Sequence, residues 1–536
     1  MNDVHRRGFL IGTVAAAGLA SSPSASAAIA ARVHGVQPPH DITPGDLRYA
    51  DLVRGNNHRF VGTPTYVHVA TSTDEVVAAV EKAVSAGKRI AVRGGGHCAE
   101  DFWANSSVRA VVDLSQMAEV SYDARRRAFA IESGAMLDGV YRTLFKRWGV
   151  TIPAGSAPTV GVGGHLCGGG YGSLSRRHGS VVDHLYGVEV VVVDRTGRAR
   201  TVVATREDAD PNRDLWWAHT GGGGGNFGVV TKYWMRSPGA IATDPALVLP
   251  RPPSSVLIST IVWPWSSMDA RSFARLISNH GTWHERNSDP DSPYAGLYSV
   301  LAVTHRSAGA LALFIQCDAT TRDGRRRYDE YVSAICDGVG VTPIAPEPSI
   351  VPWLHATVWP GDRDGGDMLT RRYKMKAAYL RKSFTDRQIS TAYRHLSRSD
   401  FDNPQGVMLL IGYGGRVNAV ASSATAVAQR DSVLKVAYES FWATPQDDAK
   451  NISWLREFYY DMYADTGGVP TSGPINDGSY INYPDKDLAD PRWNKSGVAW
   501  STLYYKDNYR RLQEVKSRWD PLNIFRHALS IEPLGE

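Results

Sequence analysis

Arg93-Gly94-Gly95-Gly96-His97 is the stretch on which the reading of this chain turns. Upstream, Val76, Val77, Val80 and Val84 fall on one face of a helix expected from Asp74 to Gly87. Ser72 with Glu75 makes a capping box at its start, and Gly87 supplies the stop. A short strand expected at Arg89–Val92 then runs straight into the glycines. Three consecutive glycines expose backbone N–H groups that can wrap a pyrophosphate without side-chain obstruction. His97 places a nucleophilic imidazole beside whatever is bound. A plain glycine turn with a buried histidine fits this motif equally well. A second run weighs against that: Pro153-Ala154-Gly155-Ser156-Ala157-Pro158-Thr159-Val160-Gly161-Val162-Gly163-Gly164-His165, continuing as Leu166-Cys167-Gly168-Gly169-Gly170-Tyr171-Gly172. Two such runs in one half of a chain are hard to explain as turns, and together they point to a bound dinucleotide. Neither is a P-loop, because no Gly-Lys-Ser/Thr follows. Gly223, Gly225 and Gly228 match G-x-G-x-x-G by spacing, but Asp214–His219 before them is no strand and no βαβ unit follows.

Working outward, Ala110–Leu114 reads as a strand, Val120–Tyr122 with Ala128–Glu132 as a hairpin, and Gly134–Trp148 as a helix. The strand Gly187–Val193 turns at Asp194–Gly197 and returns. Pro250–Ser255 marks a change of texture. Beyond it, Val256–Trp263, Ser299–Val303, Ala310–Gln316 and Val407–Gly412 read as strands of a second sheet mixed with helices. A chain of 536 residues exceeds one ordinary core, so at least two lobes are expected. The fold class expected is α+β.

Net charge is +5, from 59 basic and 54 acidic residues, with no Lys/Arg block, so a nucleic-acid partner is not expected. Four cysteines, Cys98, Cys167, Cys317 and Cys336, make neither a disulfide framework nor a zinc pattern. A single Cys317–Cys336 bridge is compatible with the sequence, which does not establish it. The N-terminus carries Arg6-Arg7-Gly8-Phe9-Leu10, an apolar run from Ile11 to Leu19, and small residues from Ser24 to Ala28. Twin arginines before a short apolar region mark a Tat export signal over residues 1–28. The run is too short and too rich in Ala and Gly for a membrane anchor. Secretion is expected, with the Tat translocase as a transient partner and no stable membrane anchor.

The chain resembles the FAD-linked oxidases of the vanillyl-alcohol oxidase superfamily, in the berberine-bridge-enzyme-like branch, and within it the anthracycline-oxidising members. The resemblance rests on Arg93–His97 with Cys98-Ala99-Glu100-Asp101-Phe102 and on Pro158–Gly172. It continues through Asp214–Val230, Gly412-Tyr413-Gly414-Gly415-Arg416-Val417-Asn418, Tyr480-Ile481-Asn482-Tyr483-Pro484-Asp485 and Tyr504–Leu529. It implies FAD bonded covalently to His97. Arg93 belongs to the matched loop, and Gly94, Gly95 and Gly96 would cradle the pyrophosphate. Pro158, Gly161, Gly163, Gly164, Gly168, Gly169, Gly170 and Gly172 would line the rest. Gly228 and Val230 would approach the adenine side and Asn482 the flavin ring. Tyr480 matches the family's catalytic base, and Tyr171 a second active-site tyrosine. An ordinary tyrosine pKa of about 10 is too high for a base at neutral pH. A nearby positive charge or donor must lower it, and the sequence does not show which group does so.

These likenesses set the expectations. A FAD-binding domain of vanillyl-alcohol-oxidase type spans 45–249 and returns at 471–536. A substrate domain with a mixed or antiparallel sheet covered by helices spans 250–470. The expected reaction is oxidation of a secondary alcohol on a sugar of a glycosylated polyketide, a small-molecule substrate, with O₂ reduced to H₂O₂. Oxidation of free carbohydrates and oxidative ring closure are the enzymatic alternatives. A flavin-binding protein without turnover is the non-enzymatic one, and retention of Tyr171 and Tyr480 argues against it. One departure matters. Many members of the branch bond the flavin a second time through a cysteine directly before Pro158, and Ala157 stands there. Cys167, ten residues on, reads as a packed side chain. One covalent flavin bond is expected, not two.

Overall fold

The strand that feeds the first glycine loop is Ile90–Arg93, one residue later than expected, so Arg93 is its last residue. It pairs in parallel with Ala110–Asp113, which pairs in parallel with Tyr66–Val69. Asp41–Ile42 closes this four-stranded sheet at its edge. The helix packed against it, Thr73–Ser85, is capped by Ser72, whose Oγ accepts from Glu75 N at 3.3 Å. The capping box is only half formed: the Glu75 carboxylate accepts from Thr71 N at 2.7 Å rather than from Ser72. Gly87, at φ +59°, turns the chain where the helix was expected to stop. In this computed structural model residues 41–359 and 371–535 are described; the expected Tat segment lies outside them.

A five-stranded antiparallel sheet follows, in the order Val120–Asp123, Ala128–Glu132, Val229–Met235, Leu185–Val193, Ala199–Thr205. The expected hairpin and the Asp194–Gly197 turn both lie in it. The run after Asp214 is a helix, Arg213–Ala218, and the glycines at 221–228 lead into a strand. That order agrees with setting the Rossmann reading aside.

The third sheet has seven antiparallel strands: Ser349–Pro352, Ser255–Pro264, Ala310–Asp318, Leu297–Thr304, Gly406–Gly412, Leu434–Trp442 and Arg372–Leu380. Four of these were expected. Side chains alternate across it, as the pleat requires. Leu301, Leu313, Leu410 and Val436 enter the main core beneath the helices Ala270–Arg286, Asp323–Cys336, Asp386–Ser397 and Asp448–Met462. Val300, Ile411, Ala377 and Ala437 face the other way, into a cluster with Tyr171 and Tyr480. Mixed helices and sheets make the class α+β. All four cysteines are free thiols, so Cys317 and Cys336 do not pair.

Ion pairs buried from solvent tie the parts together. Lys374 donates to Glu100 at 2.7 Å and Asp485 at 2.6 Å, and Lys376 contacts Asp485 at 2.5 Å and Asp487 at 2.9 Å. One strand thus holds the loop after His97 and the segment after Tyr480. Removing one partner strands the remaining charges in low dielectric. Lys374→Met is therefore expected to cost about 3–5 kcal/mol, read as a lower urea midpoint. An unchanged midpoint would show that the hub contributes no net stability.

Candidate active site

Two backbones meet where the glycine runs cross. A Cβ on Gly95 would lie 2.3 Å from Gly161 N, and one on Gly161 would lie 2.3 Å from Gly95 N. No side chain fits at either place, so bare amide backbone faces the space between them. Arg93 ends its strand in an ion pair with buried Asp113. Gly96 takes φ +73°, a conformation that favours glycine, and turns the chain into His97.

These loops line one cavity of about 640 Å³, within the usual range for small-molecule and cofactor sites. Arg93, Gly94, Gly95, Gly96, His97, Gly161, Gly163, Gly164, Gly172, Gly228, Val230, Tyr171, Tyr480 and Asn482 all line it. Gly228 is held against Val191 O, where a Cβ would lie 2.5 Å away. Pro158 and Gly168–Gly170 lie behind the wall. Pro158 O accepts from Asp138 N. A side chain on Gly168 would strike Asn482, on Gly169 Val427, and on Gly170 His165. Gly168 and Gly170 thereby give room to Asn482 and His165, which do line the cavity.

His97 Nε2 lies 2.9 Å from Thr159 Oγ1. Desolvation, with Arg93 nearby, pushes the imidazole down to about 4, so it is neutral at pH 7 and keeps a lone pair. Ala157 lines the cavity too. Cys167 lies 2.9 Å from Tyr233 Oη, and burial pushes its thiol up to about 11. Cys98 is pushed up to about 12 by burial. Neither offers a thiolate at neutral pH.

At the inner end, Asn482 Nδ2 donates to His165 O at 2.9 Å and to Tyr480 Oη at 3.0 Å. Tyr480 donates to Gly169 O at 3.2 Å. Tyr171 Oη lies 3.1 Å from Tyr483 Oη. Sequence reasoning missed the residue beneath them. Lys435, 2% exposed, has no hydrogen-bond partner for its amine. Its Nζ stands 3.5 Å from the ring centroids of both Tyr171 and Tyr480, and 4.7 Å from those of Tyr379 and Tyr413. Burial, then the charge of Arg430, holds the amine well below its ordinary value. Burial and neighbouring Tyr483 hold the Tyr480 phenol well above its own, against the lowering pull of Asn482. His165 was missed as well. It accepts from Gly155 N at 3.1 Å, and burial pushes it down to about 4, with Lys435 adding to the shift.

The comparisons agree with this geometry. A family model for "FAD binding domain" matches residues 64–202, and one for "Berberine and berberine like" matches 479–532. Aclacinomycin-N/aclacinomycin-A oxidase of Streptomyces galilaeus is 51% identical, covering 100% of this chain and 99% of that protein. Hexose oxidase of Chondrus crispus is 30% identical over 91% of this chain and 93% of its own. The structure of a glycopeptide hexose oxidase complexed with teicoplanin is 52% identical, with TM-score 0.88, over 92% of this chain and 98% of that one. The bare backbone cradle fits the dinucleotide that the first family model describes. An FAD-dependent oxidoreductase with this fold and these loops, the chain belongs to the berberine-bridge-enzyme-like family of FAD-linked oxidases.

Proposed function

We propose that this chain is an exported oxidase that converts a secondary alcohol on a sugar of a glycosylated secondary metabolite to the ketone. The observation that carries the reading is the Lys435 amine set 3.5 Å from the rings of both Tyr171 and Tyr480 at the inner end of the cavity. Relatives named for aclacinomycin, for hexose and for a glycopeptide support the substrate class.

Oxidising a secondary alcohol removes a hydroxyl proton and a carbon-bound hydride. When bound, FAD would supply the hydride acceptor, with O₂ as the final oxidant giving H₂O₂. His97, the Gly94–Gly96 loop and Gly161–Gly164 would hold it, and Gly228 and Val230 line the same cavity. Tyr480 takes the hydroxyl proton. Burial shifts the Tyr480 phenol toward its protonated form and the Lys435 amine toward its neutral form. Ionised together, the two make a pair of zero net charge, with the ammonium against the electron-rich ring face. Asn482 donates to the same oxygen and favours the phenolate. Tyr171, hydrogen-bonded to Tyr483, packs edge to face against Tyr480 with ring centroids 5.6 Å apart and limits where the alcohol can sit.

The test is a panel of glycosylated aromatic polyketides and free sugars, scored by peroxide. Glycosides are expected to give it; turnover of free oligosaccharides alone would favour the carbohydrate-oxidase alternative. Tyr480→Phe should keep flavin and fold and lose flavin reduction by roughly 10²-fold or more. Lys435→Met should move the acidic limb of the kcat/KM profile to higher pH by about one unit or more. The sign follows from the charge: without the ammonium, Tyr480 must lose its proton at higher pH. Wild-type reduction in the first variant, or an unmoved limb in the second, removes that residue from the mechanism.

We assign the flavin a single covalent bond, through His97. The neutral imidazole in the cavity and the methyl of Ala157 support this. Flavin should stay with the polypeptide after acid denaturation, and His97→Ala should release it. A tryptic flavopeptide should contain His97 without a cysteine thioether. A peptide linked through both His97 and Cys167 would decide against the assignment. Ala157→Cys should bring a thiol back to the cavity wall and change the visible spectrum if a second bond forms.

Export through the twin-arginine route rests on Arg6-Arg7 and the apolar run behind them. Arg6→Lys/Arg7→Lys should leave folded, yellow protein in the cytoplasm. Normal secretion of the double variant would remove the Tat assignment.

A further inference from the structure

The segments that carry Lys435 and Tyr480 are tied to each other three residues before each of these side chains. Ser432 Oγ donates to Asp477 Oδ2 at 2.8 Å. Ser432 leads into the strand Leu434–Trp442, and Asp477 leads to Tyr480 through Gly478 and Ser479. The strand Arg372–Leu380 runs between Lys435 and the Tyr480 segment. Its Tyr379 stands opposite Lys435. Asp477 N donates to Tyr379 O at 2.8 Å, and Tyr379 N donates to Gly478 O at 2.9 Å. Ser479 Oγ donates to Ala377 O at 2.9 Å. The approach to Tyr480 is thus seated along the edge of the sheet that carries Lys435. Asp477, fully buried, fastens its end. Asp477 Oδ1 meets Lys506 Nζ at 2.5 Å and Arg381 Nη2, one residue past the strand, at 2.6 Å. Ser472 Oγ donates to the same oxygen at 3.3 Å. Asp431, exposed, faces the same two cations, 2.6 Å from Arg381 and 3.7 Å from Lys506. Lys506 follows the helix Trp500–Tyr505 at φ +49° and ψ −132°, a conformation that a residue with a Cβ rarely adopts. Such strain persists where surrounding contacts over-determine it, and the Asp477 carboxylate is one of those contacts.

We propose that Asp477 is a positioning residue for the proton transfer: clamped to Ser432, Arg381 and Lys506, it sets the approach of the Lys435 amine to the Tyr480 ring. The proposal rests on the oxidase reading above and deepens it. The attraction between an ammonium and a phenolate falls with distance, and in a buried site little water screens it. The separation of the two groups therefore sets how readily Tyr480 ionises. Burial pushes the Asp477 carboxyl up to about 6, against the pull of Lys506, so the clamp is mostly charged at pH 7. Burial foremost holds the Tyr379 and Tyr413 phenols above their ordinary value, and the Asp477 charge adds to it.

The experiment locates the acidic limb of kcat/KM in wild type, Ser432→Ala and Asp477→Asn, using a glycoside that yields peroxide. Each substitution is repeated beside Lys435→Met, and bound flavin and melting temperature are recorded throughout. Ser432→Ala removes the tie between the two segments and leaves every charge in place. It should move the limb to higher pH by about half a unit or more. Asp477→Asn should move it in the same direction. The sign separates positioning from charge, because deleting a negative charge alone favours a phenolate and moves the limb to lower pH. Beside Lys435→Met neither substitution should move the limb further, since Asp477 acts through the amine. Three results overturn the proposal while leaving the oxidase reading intact. One is a limb that stays in place in Ser432→Ala, even if the melting temperature drops, which marks a merely structural contact. Another is a limb that moves to lower pH or vanishes in Asp477→Asn. The third is a shift of the same size without Lys435. If Asp477→Asn does not fold, Ser432→Ala decides alone. Wild-type protein that releases no peroxide from any glycoside fails the oxidase reading, and the proposal with it.

Discussion

An amine buried without a hydrogen-bond partner is costly, and Lys435 is one. Four tyrosine rings stand around it, two of them at 3.5 Å. The aromatic faces partly replace water for a cation, and the mechanism we propose sets a phenolate beside it. The rest of the inner site serves that condition. Asn482 fixes the Tyr480 oxygen, and Gly168 is glycine because the Asn482 side chain occupies the place of its Cβ. Tyr171 is held by Tyr483 and packs against the edge of Tyr480.

Bringing these residues together takes three separated stretches of chain. The short helix Val162–Cys167 and the glycines after it come from the second glycine run, Lys435 from the seven-stranded sheet, and Tyr480 from the C-terminal return. The lysine hub links the same parts from behind, since Lys374 and Lys376 reach Glu100, Asp485 and Asp487. At the far end, Lys516 donates to Asn226 O and Phe525 O at 2.6 Å each and pairs with Asp520. That fastens the tail onto the Gly223–Asn226 loop.

The glycine runs were legible because their meaning is local. Backbone exposure and close approach need only neighbouring residues, and His97 with Gly94–Gly96 lies where the motif placed it. The strands with clean apolar alternation were legible for the same reason. Arg372–Leu380 and Leu434–Trp442 were not. Arg-Tyr-Lys-Met-Lys looks like a solvated stretch, and only Glu100, Asp485 and Asp487, distant in sequence, explain why its lysines are buried. Lys435 was hidden likewise, because its partners lie 264 and 45 residues away in the chain. Gly168–Gly170 show the limit of composition. Their composition matched the cofactor loops, but they make space for Asn482, Val427 and His165.

The central claim is that Lys435 makes Tyr480, among the buried tyrosines around it, the one that ionises. The direct measurement is a pH titration of the holoprotein carrying ring-labelled tyrosine, following the Cζ carbon resonances by NMR with Tyr480, Tyr171, Tyr379 and Tyr413 assigned. The account predicts that Tyr480 ionises at lower pH than Tyr171, Tyr379 and Tyr413. Tyr480 titrating together with any of them or above them would contradict it.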